Sequence, residues 1–358
     1  MTENEMVSDL HCKLDQESAE DRFSGAVLIA RRGQPIFAQA YGLADRERGI
    51  PNTLQTRLRV GSINKMFTGV AVVQLVQAGK LQLVASLGAY LTDYPDKETA
   101  SKVTIEQLLS HTGGTGDLFG PEYEAHRLEL RTLQDFFVML YADRKLRFEP
   151  GSRWEYSNYG YILLGVVIER VSGQSYYDYV RDHIYVPAEM RSSGSEPEDQ
   201  FVPDRSVGYT CAAGTMVSSN IVPLPYPRPN TTSLPFRGSS AGCGYSTVHD
   251  LLSFAIALQA KRLLNAHYTE LVTAGRVETD HGSHYGYGFE TRTVNGLRGV
   301  GHSGGAIGMN GIFEMFPDIG YLVVVLANLD PPAAGRISRM ITERLEMVCT
   351  SSQREPEI

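Results

Sequence analysis

Apolar and polar residues follow two different rhythms along this chain. Residues 24 to 41, SGAVLIARRGQPIFAQAY, form two β-rich runs around a Gly-Gln-Pro break, which predicts an antiparallel hairpin and a fold that opens with strands. From Ser62 to Ala78 the rhythm changes. Met66, Val70, Val73 and Val76 recur at helical spacing up to Gly79, which predicts one long buried helix. Further helices are expected at Thr104 to Leu109, where Thr104 and Gln107 are spaced for a capping box, and at Thr132 to Tyr141, Tyr159 to Val171 and Thr247 to Leu258. The stretch from Arg191 to Tyr245 holds Pro203, Pro223, Pro225, Pro227, Pro229 and Pro235 among many Ser and Gly, without a sustained period, and predicts a long ordered loop. Strands return in YGYGFETRTV and in GIFEMFPDIGYLVVVLANL, where Pro317 to Gly320 is the turn of a second hairpin, and a helical run from Arg336 to Met347 closes the pattern.

This order of elements predicts an α+β fold, an α/β sandwich whose antiparallel sheet takes strands from both chain ends. Residues 1–95 and 246–358 are expected to form that α/β domain. Residues 96–245 then form a mainly helical domain carrying the proline-rich loop, with an active site between the two. A length of 358 residues agrees with about two domains.

Composition narrows the function. Hydrophobic residues at 42% and charged residues at 21% are ordinary for a globular protein, which excludes a disordered chain. The net charge of -8, from 41 acids against 33 bases with no basic run, leaves nothing to track a phosphate backbone, so nucleic acid is not an expected partner. The longest apolar stretches, such as Tyr321 to Ala327, fall far short of the roughly 20 residues of a membrane span. Cys12, Cys211, Cys243 and Cys349 lie far apart with no C-x-x-C pair, so neither a disulfide framework, nor a metal site, nor a cofactor is expected. The start, MTENEMVSDLHCKL, is acidic and polar where a leader would be basic and then apolar, which predicts a cytoplasmic protein as written, or a periplasmic one if the N-terminus was trimmed. No motif fixes an oligomeric state.

Three short motifs carry candidate chemistry. Ser62-Ile63-Asn64-Lys65 puts a hydroxyl and an amine one helical turn apart, so the amine can activate the hydroxyl if burial keeps it neutral. With 27 Ser and 7 Lys, ~0.5 such pairs arise by chance, so the motif needs its neighbours. Tyr156-Ser157-Asn158 follows Pro150-Gly151 and precedes an apolar helix, a place from which a tyrosine can shuttle protons; the alternative is a packed Tyr156 with Asn158 capping the helix. His302-Ser303-Gly304-Gly305 lies ahead of the closing hairpin, and its glycines let a substrate approach the strand backbone. His111-Thr112-Gly113 and His284-Tyr285-Gly286 share the H-x-G pattern, and His111 reads as a structural histidine tying down a turn.

In sequence, S-x-x-K, Y-x-N and H-x-G resemble the serine β-lactamase and penicillin-binding-protein superfamily. The likeness extends over RVGSINKMFTGVAVVQLVQAGKL, IEQLLSHTGG, FEPGSRWEYSNYGYILLGVVIERVSG and AGCGYSTVHDLLSF, nearly the whole chain. The histidine in H-x-G looks most like the class C-related branch of family VIII carboxylesterases, D-aminopeptidases and DD-peptidase-like enzymes. The resemblance implies Ser62 as nucleophile, Lys65 as the amine taking its proton, and Tyr156 as a second base serving the leaving group and then the deacylating water. It implies that Asn158 orients Lys65 and binds the acyl side. It also implies an oxyanion hole of the Ser62 and Gly305 backbone N–H groups, with His302, Gly304 and Gly305 along the substrate and His302 on the leaving-group side. Both Lys65 and Tyr156 are expected to have depressed pKa values.

His302 replaces a charged lysine, so carboxylate-bearing lactams and D-Ala-D-Ala termini are expected to bind less favourably. No acid stands out as a dedicated deacylating base. The expected activity is therefore hydrolysis of small esters through an acyl-enzyme; D-amino-acid peptide or amide cleavage, weak lactam hydrolysis and acyl transfer are the alternatives, and a noncatalytic ligand-binding protein is the alternative of another class. Gly301-His302-Ser303-Gly304-Gly305 also spells G-x-S-x-G, which would make Ser303 the nucleophile, but no helix pattern or later histidine follows it.

Overall fold

A computed structural model describes residues 1–140, 145–213, 222–230 and 234–352. Its centre is an eight-stranded antiparallel sheet. The first hairpin, β1 (Gly25–Arg31) and β2 (Gln34–Tyr41), forms one edge, and β1 then pairs directly with Tyr321–Ala327, in register Ala26 with Leu326. The sheet continues through Met309–Phe316, Leu297–Ala306, Glu290–Val294, His284–Tyr285 and Val277–Glu278. The fold class is the α+β arrangement expected, with strands from both chain ends. Both predicted hairpins are present, and YGYGFETRTV is two strands interrupted at residues 286–289.

The chain opens with a helix, α1 (Glu3–Ala19), where strands were expected first. Thr2 and Glu5 make a reciprocal capping box, and Met6, Leu10 and Leu14, four residues apart, are fully buried. That stripe packs beside the terminal helix Ala333–Ser352 on the back of the sheet, against Val27, Ile29, Val323 and Val325.

The other face carries the second helix, α2 (Asn64–Gln77), whose residues from Asn64 to Val73 are all buried, as expected for a central helix. Helices Ile105–Leu109, capped by Thr104 and Gln107, Leu133–Leu140 and Asn158–Ser172 pack around it, and Val248–Gln259 packs on the same sheet face. Tyr141, at the end of one predicted helix, lies outside the described residues.

The segment from 191 to 245 is more than a loop. Tyr209–Ala213 and Val222–Pro229 pair antiparallel, and residues 214–221 and 231–233 lie outside the described set. Successive N–H groups of a strand point to opposite edges, so prolines at 223, 225, 227 and 229 blank one edge and leave the other free to pair. Bridges from Arg205 to Arg57 and from Tyr209 to Leu329 tie this segment to the body, and one from Gly194 to Tyr245 joins its two ends.

Candidate functional site

Ser62 sits in a tight turn, Gly61–Ile63, that runs straight into α2. Gly61 takes φ +52, a left-handed value that favours glycine, and the turn delivers Ser62 half-buried to the front of the sheet. One helical turn on, Lys65 is completely buried. Its Nζ donates to Asn158 Oδ1 and to the Ala241 carbonyl, each at 2.6 Å, and lies 3.3 Å from Ser62 Oγ. Burial lowers the Lys65 pKa to about 7, against the pull of Asp117, which favours the charged form. A neutral amine has two hydrogens. With both directed at Asn158 and Ala241, its lone pair is left for the Ser62 hydroxyl.

Tyr156 and Asn158 arrive together from the turn before the helix Asn158–Ser172. Ser157 caps that helix by accepting from Gly160 N, so the capping role considered for Asn158 falls to its neighbour. Asn158 is left free for Lys65. It is fixed there because its own N–H and its Nδ2 both donate to Asp117 Oδ1 at 2.9 Å. The Tyr156 ring lies 4.7 Å from Lys65 Nζ and 4.3 Å from the His111 ring, and its hydroxyl interacts with Ser62. Desolvation raises the Tyr156 pKa, only partly offset by that contact, while Asp117 and Glu290 add to the rise. The expectation of a depressed value for Tyr156 is thus reversed: burial and the nearby carboxylates disfavour the phenolate, and the side chain is a phenol at rest.

His111 does hold a turn, at φ +60, with its Nδ1 accepting from Ser157 N and its carbonyl from Glu155 N. Its ring also packs, tilted, against Tyr156, Tyr161 and Tyr285, so it supports the ring that approaches Ser62.

His302, Ser303, Gly304 and Gly305 lie in the strand Leu297–Ala306 alongside the Ser62 turn. A Cβ on Gly304 would strike the Val60 carbonyl and come within 3.1 Å of Ser62 N, while one on Gly61 would come within 2.9 Å of Gly305 N. Only glycine lets the two backbones approach so closely, and the approach brings the N–H groups of Ser62 and Gly305 into one small region. Asn310 braces it by donating to the Gly304 carbonyl at 2.9 Å. His302 is buried. Its Nδ1 donates to the Ser303 carbonyl, so Nε2 is the acceptor for Tyr285 Oη at 2.8 Å. Burial lowers its pKa to about 3, aided by Lys65, and the ring is neutral. Ser303 lies in mid-strand, without the strand-turn-helix of a nucleophile elbow.

Two cavities meet at Ser62. One of about 140 Å³ is mainly apolar, with Leu118, Phe119, Tyr123, Phe136 and Pro235 in its wall. The other, about 360 Å³, is polar and is lined by Trp154, Tyr285, Glu290, Arg292 and His302. Tyr156 and Gly305 border both. Sequence reasoning missed Asp117, Ala241, Trp154 and Tyr285. Asp117 follows the glycine-rich HTGGTG and is the one acid there, the only signal that pointed to it. Among the described residues no group of three His, Cys, Asp or Glu side chains is placed to hold a metal, and no helix is long and apolar enough to cross a membrane.

Known proteins share this sequence pattern and fold. The chain is 28% identical over 316 residues to penicillin-binding protein 4* of Bacillus subtilis (strain 168), covering 86% of this chain and 68% of that one. It is 35% identical over 214 residues to esterase EstB of Burkholderia gladioli, covering 55% of this chain and 54% of the other. The solved structure of a penicillin-binding protein from Bacillus halodurans superposes with a TM-score of 0.79 at 30% identity, covering 93% of this chain and 99% of that one. A family model described as beta-lactamase matches residues 13–345, and with the fold above it shows that the protein belongs to the β-lactamase family of serine hydrolases, which it shares with penicillin-binding proteins.

Proposed function

We propose that this protein hydrolyses small esters through a covalent acyl-enzyme on Ser62. The observation that carries the reading is the Lys65 amine. It is completely buried and bound at 2.6 Å by two fixed acceptors, with Ser62 Oγ as its third neighbour. A pKa of about 7 makes a large share of it neutral at working pH, so it can take the serine proton as Oγ attacks the acyl carbon. The developing oxyanion falls to the N–H groups of Ser62 and Gly305. Tyr156, a phenol at rest, serves as a relay: it gives its proton to the leaving oxygen and recovers one from Lys65, avoiding a free phenolate. Run in reverse with water in place of the leaving group, the same relay releases the acid. On this reading the site lies between an α/β domain of residues 1–95 and 246–358 and a helical domain of residues 96–245.

Esters are favoured over carboxylate-bearing lactams and peptides because His302 is neutral and both its ring nitrogens are engaged within the protein. Amide cleavage by the same serine is the second reading, favoured by the proton relay to the leaving atom, which an amine leaving group needs more than an alkoxide does. A panel of p-nitrophenyl butyrate, D-amino-acid amides and nitrocefin, read with mass spectrometry of a fluorophosphonate adduct, tests both class and nucleophile. The expected result is an adduct on the Ser62 peptide and the highest kcat/KM on the ester. An adduct on the Ser303 peptide, or equal rates on nitrocefin, overturns it.

A further inference from the structure

The polar cavity beside His302 contains two charged side chains, Glu290 and Arg292, and they are not equivalent. Arg292 is committed elsewhere: its Nε and Nη2 bond both oxygens of Glu314, at 2.6 and 3.0 Å, and Glu314 is almost fully buried. The pairing is built into the backbone. A Cβ at position 299 would collide with the Glu314 carboxylate, so Gly299 in the neighbouring strand clears the space the carboxylate needs to meet Arg292. Glu290 is not bonded to a counter-charge in this way, although Arg292 lies within Coulomb reach of it. It accepts a hydrogen bond from Ser283 at 2.5 Å and forms no ion pair with any described residue. Arg292 and Glu314 cancel and His302 is neutral, so the interior of the cavity is left with one uncompensated negative charge. At its rim, Asp280 and His281 are mostly exposed and only loosely paired, at 3.9 Å. The walls around Glu290 are aromatic: Trp154, Tyr156 and Tyr285 all line the cavity, with the Trp154 and Tyr285 rings 6.4 Å apart. A carboxylate among aromatic faces is the chemistry that selects an organic cation, by Coulomb attraction and by cation–π contact.

We propose that this cavity is a subsite for a cationic, ammonium-bearing leaving group, with Glu290 as its counter-charge and Trp154 as its aromatic wall. The inference rests on the Ser62 acyl-enzyme reading and deepens it by naming the substrate class as acyl esters of amino alcohols. In the reaction the Ser62 Oγ–carbonyl bond forms and the bond from carbonyl carbon to alcohol oxygen breaks. The serine proton, carried by Lys65 and Tyr156, ends on that oxygen and frees the amino alcohol. Water then takes the acyl group, giving a carboxylic acid and the free serine.

The test compares kcat/KM for three butyrate esters: butyrylcholine, its uncharged isostere 3,3-dimethylbutyl butyrate, and 3-carboxypropyl butyrate. The wild type is expected to prefer the cationic over the neutral ester by about tenfold, with the anionic ester slowest. Glu290→Gln should bring the cationic-to-neutral ratio close to one, and Trp154→Leu should lower it partway. A wild-type ratio at or below one, or an unchanged ratio in Glu290→Gln, overturns the subsite. The wild-type ratio decides the matter even if a variant fails to fold. Calorimetric binding of tetramethylammonium to Ser62→Ala, weakened by adding Glu290→Gln, reads the subsite without turnover. If Ser62→Ala still hydrolyses all three esters, the acyl-enzyme reading fails, and that result is distinct from a failure of charge selectivity.

Discussion

The two faces of the sheet are built to different rules. On the back, α1 and the terminal helix Ala333–Ser352 press a nearly unbroken apolar surface onto Val27, Ile29, Val323 and Val325, and their ion pairs, such as Arg344 with Asp9, lie at the margin. On the front, the apolar layer is interrupted by fully buried Lys65, Thr68 and Ser240 and by nearly buried Asn64, His111, Asn158 and His302. Within that layer Asn64 Oδ1, Ser240 Oγ and His111 Nε2 have no hydrogen-bond partner among the described residues. Buried polar groups cost stability unless fully bonded, so the front surrenders some stability to hold Lys65 dry and uncharged, and the back supplies it.

If this division holds, the faces separate under mutation. The largest effect falls on Ser62→Ala, expected to cut kcat at least about a thousandfold while the melting temperature moves little; Ser303→Ala should keep substantial activity. Ester kinetics and calorimetry on the two variants check this, and the reverse pattern would restore Ser303 as nucleophile. Next, Lys65→Ala and Tyr156→Phe should each lose several orders of magnitude in kcat, with the double variant little worse than the worse single one, as for residues acting as one relay. Additive losses would make Tyr156 a packing residue. On the back, Ile341→Ala should cost about 2–5 kcal/mol in unfolding free energy, measured by denaturant titration, with kcat per folded molecule unchanged. The smallest effect is in pH. Lys65 must lose its proton to act, and its pKa is about 7, so kcat should rise with pH through that region and fall about tenfold per unit below it. Asp117 favours the charged amine, so Asp117→Asn should move this limb to lower pH. A limb that stays in place would detach Lys65 from the rate.

Much of this was legible in the sequence, and the gaps have physical causes. The hairpins and the buried helix showed their period, Ser62 and Lys65 stand one helical turn apart, and the resemblance carried by S-x-x-K, Y-x-N and H-x-G grouped Tyr156 and Asn158 with them. α1 was missed because its acidic residues hide a stripe of three apolar ones. The strands at 209–229 were missed because prolines signal a loop unless their alternate placement is noticed. The direction of the Tyr156 pKa was missed because spacing shows which groups meet but not how much water they lose. Asp117 was missed because it belongs to none of the three motifs and holds the site by accepting from Asn158.

The pairing of β1 with Tyr321–Ala327 has a consequence for biogenesis. These two strands are second and third from one edge of the sheet, yet about 300 residues of chain separate them. During synthesis at about 5–20 residues per second, the first hairpin waits tens of seconds for its neighbour, with one edge and both apolar faces unsatisfied. The long separation also makes closing the sheet a slow step with a high contact order. A nascent chain stalled before residue 321 would therefore be the species most exposed to aggregation and most in need of a chaperone.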